Sequence, residues 1–458
     1  MEVIQKRLRD FPAPYRLSEC PPKKMSGHNR SNRKDATAAR RLPRYMGTFV
    51  LAALLLITAA GSAKADDGTE QAGEGKTAAD GQRVNDSGLW DRASGAWQDI
   101  QSQLDKRGIA LSFNYTGEVF YSYRLEPDKV TPYRDLTNLR IDLDTEKLGL
   151  WPGGEVFLNG QWSYGRGIDV MADGVTFPIS SIDARNFAQV SEYGLKQRFW
   201  NNALQVIVGK QDVNTIFCVN DYGSLLVNNS YIQIPTVPLP TFPAPGLGAT
   251  VIASPWKQFS FGLGFYEGAP RIGGSGFDTF FDGSRGYFSI LETKWTPAWG
   301  QDHHLPGDYR VGFWYHTGQF AGIGDDTRTF NGNYGFYLLM NQSIYRRKGA
   351  DPSDPGLGVF LQAGWAPSDR NQVTRYVGAG LQYQGIVPGR PADILGLATS
   401  YTWVTDGEHE TMLVSGEFFY LVQITSWLGV QPDIQYFYNA RGEHRSGLAA
   451  GCRWVVQF

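Results

Sequence analysis

The chain has 458 residues, of which 42% are hydrophobic and 14% aromatic, with 54 glycines and a formal charge of −2. That length suits two or three ordinary soluble domains or one large barrel. Residues 1–65 hold 13 of the 43 basic and 4 of the 45 acidic residues, so the remainder carries −11, which argues against nucleic acid as a partner.

From the N-terminus, Arg40, Arg41 and Arg44 precede an apolar run from Phe49 to Ala60 and then Ala63-Lys64-Ala65. These are the basic region, apolar region and small-residue cleavage pattern of a secretory signal, cut before Asp66. The run is shorter than the ~20 residues that a spanning helix needs. Met25 offers a second start inside the extended basic region. Cys20 leaves with the signal, and Cys218 and Cys452 remain. Two distant cysteines make no disulfide framework, and both are expected as free thiols.

Residues 66–86 are acidic, polar and glycine-rich, and are expected to be a disordered leader. The one helical pattern follows, over 87–107. Ser87 can cap it, Trp90, Ala93, Trp97, Ile100 and Leu104 recur at helical spacing, and Gly108 ends it.

From Gly108 to Phe458 the period changes to two. Ile109, Leu111, Phe113 and Tyr115 oppose Ala110, Ser112 and Asn114; Leu139, Ile141 and Leu143 oppose Asn138, Arg140, Asp142 and Asp144. The same alternation predicts sixteen strands: 109–124, 135–148, 153–165, 189–199, 203–212, 246–255, 257–267, 286–297, 308–320, 332–345, 356–367, 373–386, 391–403, 410–423, 426–438 and 445–458. Short links such as "WNN" and "SPWK" alternate with long ones at 166–188, 213–245 and 268–285. The number is even, and each strand has one apolar face. Both features predict an all-β, transmembrane outer-membrane β-barrel of antiparallel strands, with a short N-terminal helix. A secreted sandwich or propeller has no use for so many one-sided strands, and no blade repeat is present.

Enzyme motifs are scarce: there is no nucleophile elbow, phosphate loop or C-x-x-C pair, and no cofactor or metal site is expected. Outside the signal region the histidines are His303, His304, His316, His409 and His444, and the His303-His304 pair reads as a solvated turn. An outer-membrane hydrolase assembled from distant residues stays open as an alternative, as does a general diffusion porin.

The polar phases carry charges of both signs among amides: Arg140, Asp142, Asp144, Glu155, Asn159, Gln161, Glu192, Lys196 and Arg198. A ring of one sign would select ions of the other. A mixed lining suits a neutral polyhydroxylated solute, because each hydroxyl both donates and accepts and charged partners bind it more strongly. The proline-stiffened link 213–245 is the candidate constriction.

"GLWPGGEVFLNGQWSYG", "VGKQDVN", "PAPGLGA", "GFYEGAP", "PGDYRVGFWYHTGQF", "GVFLQAGWAPSDRN", "QPDIQYFYN" and "CRWVVQF" together resemble the carbohydrate-selective porin (OprB) family, from about Leu89 to Phe458. The resemblance implies a sixteen-stranded barrel in the Gram-negative outer membrane, in-folded extracellular loops, and diffusion of glucose and similar sugars through a polar constriction. It also points to Lys210, Asp212 and Asn214 of "GKQDVN" and to Asp369, Arg370 and Asn371 of "APSDRN" as family-like positions. Lys210 shares the phase of outward Val206 and Val208, so an inward placement requires a bulge. The partners implied are sugars, outer-membrane lipid, and the barrel-assembly machinery, which would read the terminal Phe458. Trimer or monomer stays open, since no interface stripe stands out.

Overall fold

The computed structural model describes residues 87–172, 175–273, 285–300, 305–325, 327–346, 356–439 and 445–458. The expected signal and leader, and His303, His304 and His444, lie outside the described residues. The chain divides into two units, one containing helix α1 and the other the strands from Leu111 onward. Helix α1 spans Ser87–Lys106, and Gly108, at φ 81°, turns the chain after it.

Among the described residues, sixteen long strands build the barrel of the second unit, and a two-residue strand, Ala298–Trp299, pairs beside the ninth. The first eight are β1 (Ile109–Tyr123), β2 (Tyr133–Asp144), β3 (Gly154–Gly165), β4 (Phe187–Phe199), β5 (Leu204–Gln211), β6 (Gly246–Trp256), β7 (Phe259–Glu267) and β8 (Tyr287–Trp295). The rest are β9 (Leu305–Ala321), β10 (Thr329–Tyr345), β11 (Leu357–Trp365), β12 (Val373–Gln384), β13 (Ile394–Thr405), β14 (Glu410–Gln423), β15 (Leu428–Tyr438) and β16 (Ser446–Gln457). Consecutive strands are hydrogen-bonded neighbours, and β16 returns antiparallel to β1, so the sheet closes. Closure leaves no unpaired strand edge, which hydrocarbon could not satisfy.

The sixteen expected strands are present, with ends displaced by a few residues. Strand β2 stops at Asp144, not 148, because Leu148 N–H turns back to the Asp144 carbonyl at 3.1 Å. The expected loop 166–188 contains a hairpin of its own, Asp169–Ala172 against Val175–Pro178, and β4 begins at Phe187.

Alternation sorts the side chains. Leu139, Val208, Leu263, Leu291, Val311, Phe336, Leu397, Phe418 and Tyr436 face outward, 43–59% exposed, the apolar outer face that an outer-membrane barrel presents. The opposite phase is polar and buried: Asn138, Gln161, Asn333, Gln362 and Gln435. Two long loops fold inward and cover it. Ile168, Ile179 and Ile182 of loop 166–186, and Phe217, Ile234 and Val237 of loop 212–245, pack among wall residues such as Phe120, Leu136, Phe288 and Trp314. The rim that carries the long loops is called the loop rim here, and the rim with the barrel's two ends is the turn rim.

The seam between β1 and β16 runs in register from Asn114↔Gln457 to Tyr123↔Leu448. Glu118 stands opposite Arg453, and both are buried. Arg453 Nε donates to Glu118 Oε1 at 2.6 Å, and Arg134 Nε donates to Glu118 Oε2 at 2.8 Å. Loop 166–186 joins them through Ser180 Oγ, which donates to Glu118 Oε1 at 3.0 Å, and Asp183, paired with Arg134 at 3.3 Å. On the outer side the Trp454 indole lies over Gly117, where a Cβ would come within 2.4 Å of it. Phe458 extends the pairing by one residue. Its N–H donates to the Phe113 carbonyl at 2.9 Å, its carbonyl accepts from Phe113 N–H at 3.0 Å, and its ring stacks on Trp427 at 5.5 Å.

Deleting Phe458 removes these two bonds and the stack at the point of closure. Less assembled barrel is expected, read as the heat-modifiable band on a gel; an unchanged band would contradict the role given to this residue.

Candidate functional site

The site is built from the inner faces of β2–β4 and β8–β9 and from loop 212–245. On β2, Arg140 forks onto Asp142 at 2.9–3.0 Å and reaches Glu192 of β4 at 3.1 Å. Its guanidinium also lies 5.0 Å from the Phe157 ring centroid. Toward the turn rim, Glu155 of β3 takes Lys196 on one oxygen at 2.6 Å and Arg198 on the other at 2.5 Å. Glu155 and Lys196 are direct cross-strand partners. Five of these side chains remain part-exposed, from 19% for Glu155 to 34% for Arg198.

Glu192 reaches this face through a bulge. Asn159 pairs with Glu192 while Gly160 pairs with Val190, so Ser191 is an extra residue. Ser191 and Glu192 are consequently both buried. Toward the loop rim the wall becomes an amide ladder. Asn159 Nδ2 donates to Ser191 Oγ at 2.8 Å, Gln161 Nε2 to Asn138 Oδ1 at 2.9 Å, and Gln189 Nε2 to Gln161 Oε1 at 3.2 Å. Asn159 and Gln161 are buried within this ladder, and Gln189 ties it to the root of loop 212–245 by donating to the Pro243 carbonyl at 2.9 Å.

A second bank stands on β8 and β9. Lys294 pairs with Asp308 at 3.2 Å, and Arg310 forks onto Asp308 at 2.8 Å and reaches Glu292 at 3.2 Å. Lys294 and Arg310 are cross-strand partners. These four were not singled out in the sequence. The signal was present in the phase: Glu292 and Lys294 alternate with Leu291, Thr293 and Trp295. Together the two banks hold five cations and five anions.

Loop 212–245 has no sheet of its own, and wall side chains take its backbone groups. Glu292 Oε2 accepts from Cys218 N–H at 2.9 Å, and Arg310 donates to the Ile216 carbonyl at 3.3 Å. Across the lumen, Glu417 accepts from Val227 N–H at 2.5 Å and Asn228 N–H at 2.9 Å. Gln431 holds the Leu225 carbonyl, and Gln362 and Tyr376 hold that of Ser230. Asn228 also caps the one-turn helix α2 (Asn229–Ile232).

Lys210, Asp212 and Asn214 stand at the root of this loop and are buried. The strand alternation breaks at Gly209, which has φ 140°, and Lys210 turns away from lipid, its Nζ 3.4 Å from the Val190 carbonyl. Asp212 accepts from Asn214 N–H at 3.0 Å, Thr241 Oγ1 at 2.5 Å and Phe242 N–H at 2.7 Å, which joins the two ends of the loop. Burial and the nearby Glu192 carboxylate push the Asp212 carboxyl well above its ordinary value, against the pull of these donors. Asn214 Nδ2 donates to the Phe217 and Cys218 carbonyls. Cys218, a free thiol like Cys452, is enclosed.

Asp369 and Arg370 lie apart from both banks, between β11 and β12 at the loop rim. They form a two-pronged pair at 2.8 and 3.0 Å, and that bonding holds the Asp369 carboxyl below its usual range. Arg370 also covers the Phe330 ring at 4.1 Å, donates to the Gly332 carbonyl, and so clips this loop to β10. Asn371 bonds Asn333 at 3.0 Å.

Comparison with known proteins agrees with this architecture. The family described as "Carbohydrate-selective porin, OprB family" matches residues 130–458. Porin B of Pseudomonas aeruginosa is 24% identical over 429 residues, covering 80% of this chain and 90% of that protein. The high-pH structure of Pseudomonas putida OprB superposes with a TM-score of 0.70 at 21% identity, over 79% of this chain and 97% of that one. Its low-pH structure gives a TM-score of 0.55 at 20% identity, over 80% and 97%.

Glu417→Ala leaves two buried backbone N–H groups without an acceptor, each costing about 1–3 kcal/mol. The loop is expected to loosen, with a lower heat-modification temperature and a larger single-channel conductance; no change in either would contradict its anchoring role.

Proposed function

Because the chain belongs to the carbohydrate-selective porin (OprB) family and forms a closed barrel of the Gram-negative outer membrane, we propose that it passes glucose and similar small sugars by passive diffusion. The observation that carries this reading is the pair of balanced banks: Arg140–Asp142–Glu192 with Glu155–Lys196–Arg198, and Lys294–Asp308–Arg310–Glu292.

Each bank is already paired within itself, so neither sign of ion meets an unopposed ring of opposite charge. A sugar hydroxyl meets donors and acceptors within reach of one another, and a charged partner makes the stronger bond. Loop 212–245 narrows the lumen above the banks and is rigidly pinned, so a solute is sorted by the fixed wall. The turn rim, with the barrel's two ends, faces the periplasm, and the loop rim faces outside. Loop 166–186 acts with the wall at the seam, and Lys210, Asp212, Asn159 and Gln161 act by holding the constriction in place. Asp369 and Arg370 shape the outer mouth. The exposed apolar belt contacts outer-membrane lipid, and the C-terminal strand is what the assembly machinery engages.

Two outcomes follow for the purified barrel. In liposomes, glucose is expected to enter faster than a salt of similar size, and equal or slower sugar entry would contradict the proposal. Glu155→Gln leaves Lys196 and Arg198 without their carboxylate. The reversal potential in a KCl gradient should then move toward anions; a potential that stays at the wild-type value would show that this bank does not face the conducting path.

A further inference from the structure

Tyr222 is the one partly exposed aromatic residue of loop 212–245; Phe217, Tyr231 and Phe242 are buried. Asp221 and Tyr222 are part-exposed, while Asn220, Gly223 and residues 225–229 around them are buried. Inside a barrel filled by its own loops, the water that reaches Tyr222 is the water of the pore.

The ring is fixed from behind. Tyr222 N–H donates to Asn341 Oδ1 at 3.1 Å. One side of the ring rests on β11 at Gly358, where an added Cβ would stand 2.0, 2.1 and 2.4 Å from Cε1, Cζ and Cδ1. Leu225, Leu226 and Phe360 belong to the apolar cluster it packs against. Glycine at 358 is therefore a requirement of the ring's position: any side chain there would displace it. Asn341, which holds the Tyr222 backbone, is the cross-strand partner of Asp308, the residue that Lys294 and Arg310 share, and Asp221 directly precedes the ring in the chain.

A pyranose has two kinds of surface, an apolar C–H face and a rim of hydroxyls. An immobile aromatic ring suits the first, because its electron-rich face attracts C–H groups and no rotamer freedom is lost on contact. A cluster of carboxylates and cations suits the second. We propose that Tyr222 is a stacking platform for the sugar ring, with Asp221, Asp308 and Lys294 as the hydroxyl partners beside it. The assignment rests on the sugar-porin reading and adds to it a saturable binding step at a named residue.

The test is the glucose concentration that half-saturates flux through the full-length protein in liposomes, a quantity independent of how many channels are inserted. Tyr222→Leu, which keeps an apolar side chain and loses the ring, is expected to raise it about fivefold. Tyr222→Phe should stay near wild type. Gly358→Ala leaves Tyr222 in the sequence but drives the ring off β11, and should match the leucine variant. Should Tyr222→Leu fail to assemble, Gly358→Ala against Tyr222→Phe decides. Half-saturation at the wild-type concentration in Tyr222→Leu, or in Gly358→Ala where that variant decides, would overturn the platform while leaving the sugar-porin reading intact. A wild-type barrel in which glucose moves no faster than salt would overturn that reading, and the platform with it.

Discussion

A polypeptide folded into the lumen of a barrel has no ladder of its own, yet its backbone N–H and C=O groups still need partners. In this protein the wall supplies them. Carboxylates of Glu292 and Glu417 take N–H groups of Cys218, Val227 and Asn228, and Gln431, Gln362 and Gln435 take carbonyls of Leu225, Ser230 and Ile179. Asp212 closes the loop's root by accepting from both of its ends. Most other features follow from this requirement. It explains why so many polar side chains of the inner phase are buried, and why glycines occupy the wall where loop rings come close.

The requirement also divides the polar phase into two populations. Glu417, Gln431 and Gln435 are occupied by the loops and closed to solvent, as Asn159 and Gln161 are within the amide ladder. Arg140, Asp142, Glu155, Lys196 and Arg198 keep part of their surface open and are paired among themselves, as Lys294 does with Asp308. The first population holds the in-folded loops, and in the proposed reading the second supplies the chemistry of the passage. At the seam the two roles meet, because Glu118 closes the barrel with Arg453 and at the same time holds Ser180 of an in-folded loop.

Much of the fold was legible because a one-sided strand has a period of two, and that period survives any neighbour. Sixteen strands could be read, and with them the inward phase of Arg140, Asp142, Glu155, Lys196 and Arg198. What could not be read depends on events without a local pattern. The bulge at Ser191 and the positive φ of Gly209 each break the alternation at one residue, and Lys210 turns inward against its phase for that reason. The hairpin within 166–186 is short and depends on the wall it covers. That Gln189 meets a loop and not water is decided by Pro243, 54 residues away. The second bank was readable in principle from the alternation of "ILETKW" and "GDYRVG", but charge alone does not say which inward residues stay open.

The central claim is that a charge-balanced lumen beneath a pinned loop holds sugars as they pass. Single-channel current in plain KCl, with glucose added step by step, tests it most directly. The account expects a reduction of current that grows with glucose and saturates, as solute occupies the narrow segment. A large current unaffected by glucose would contradict it, and would make the barrel a general diffusion pore with the same wall.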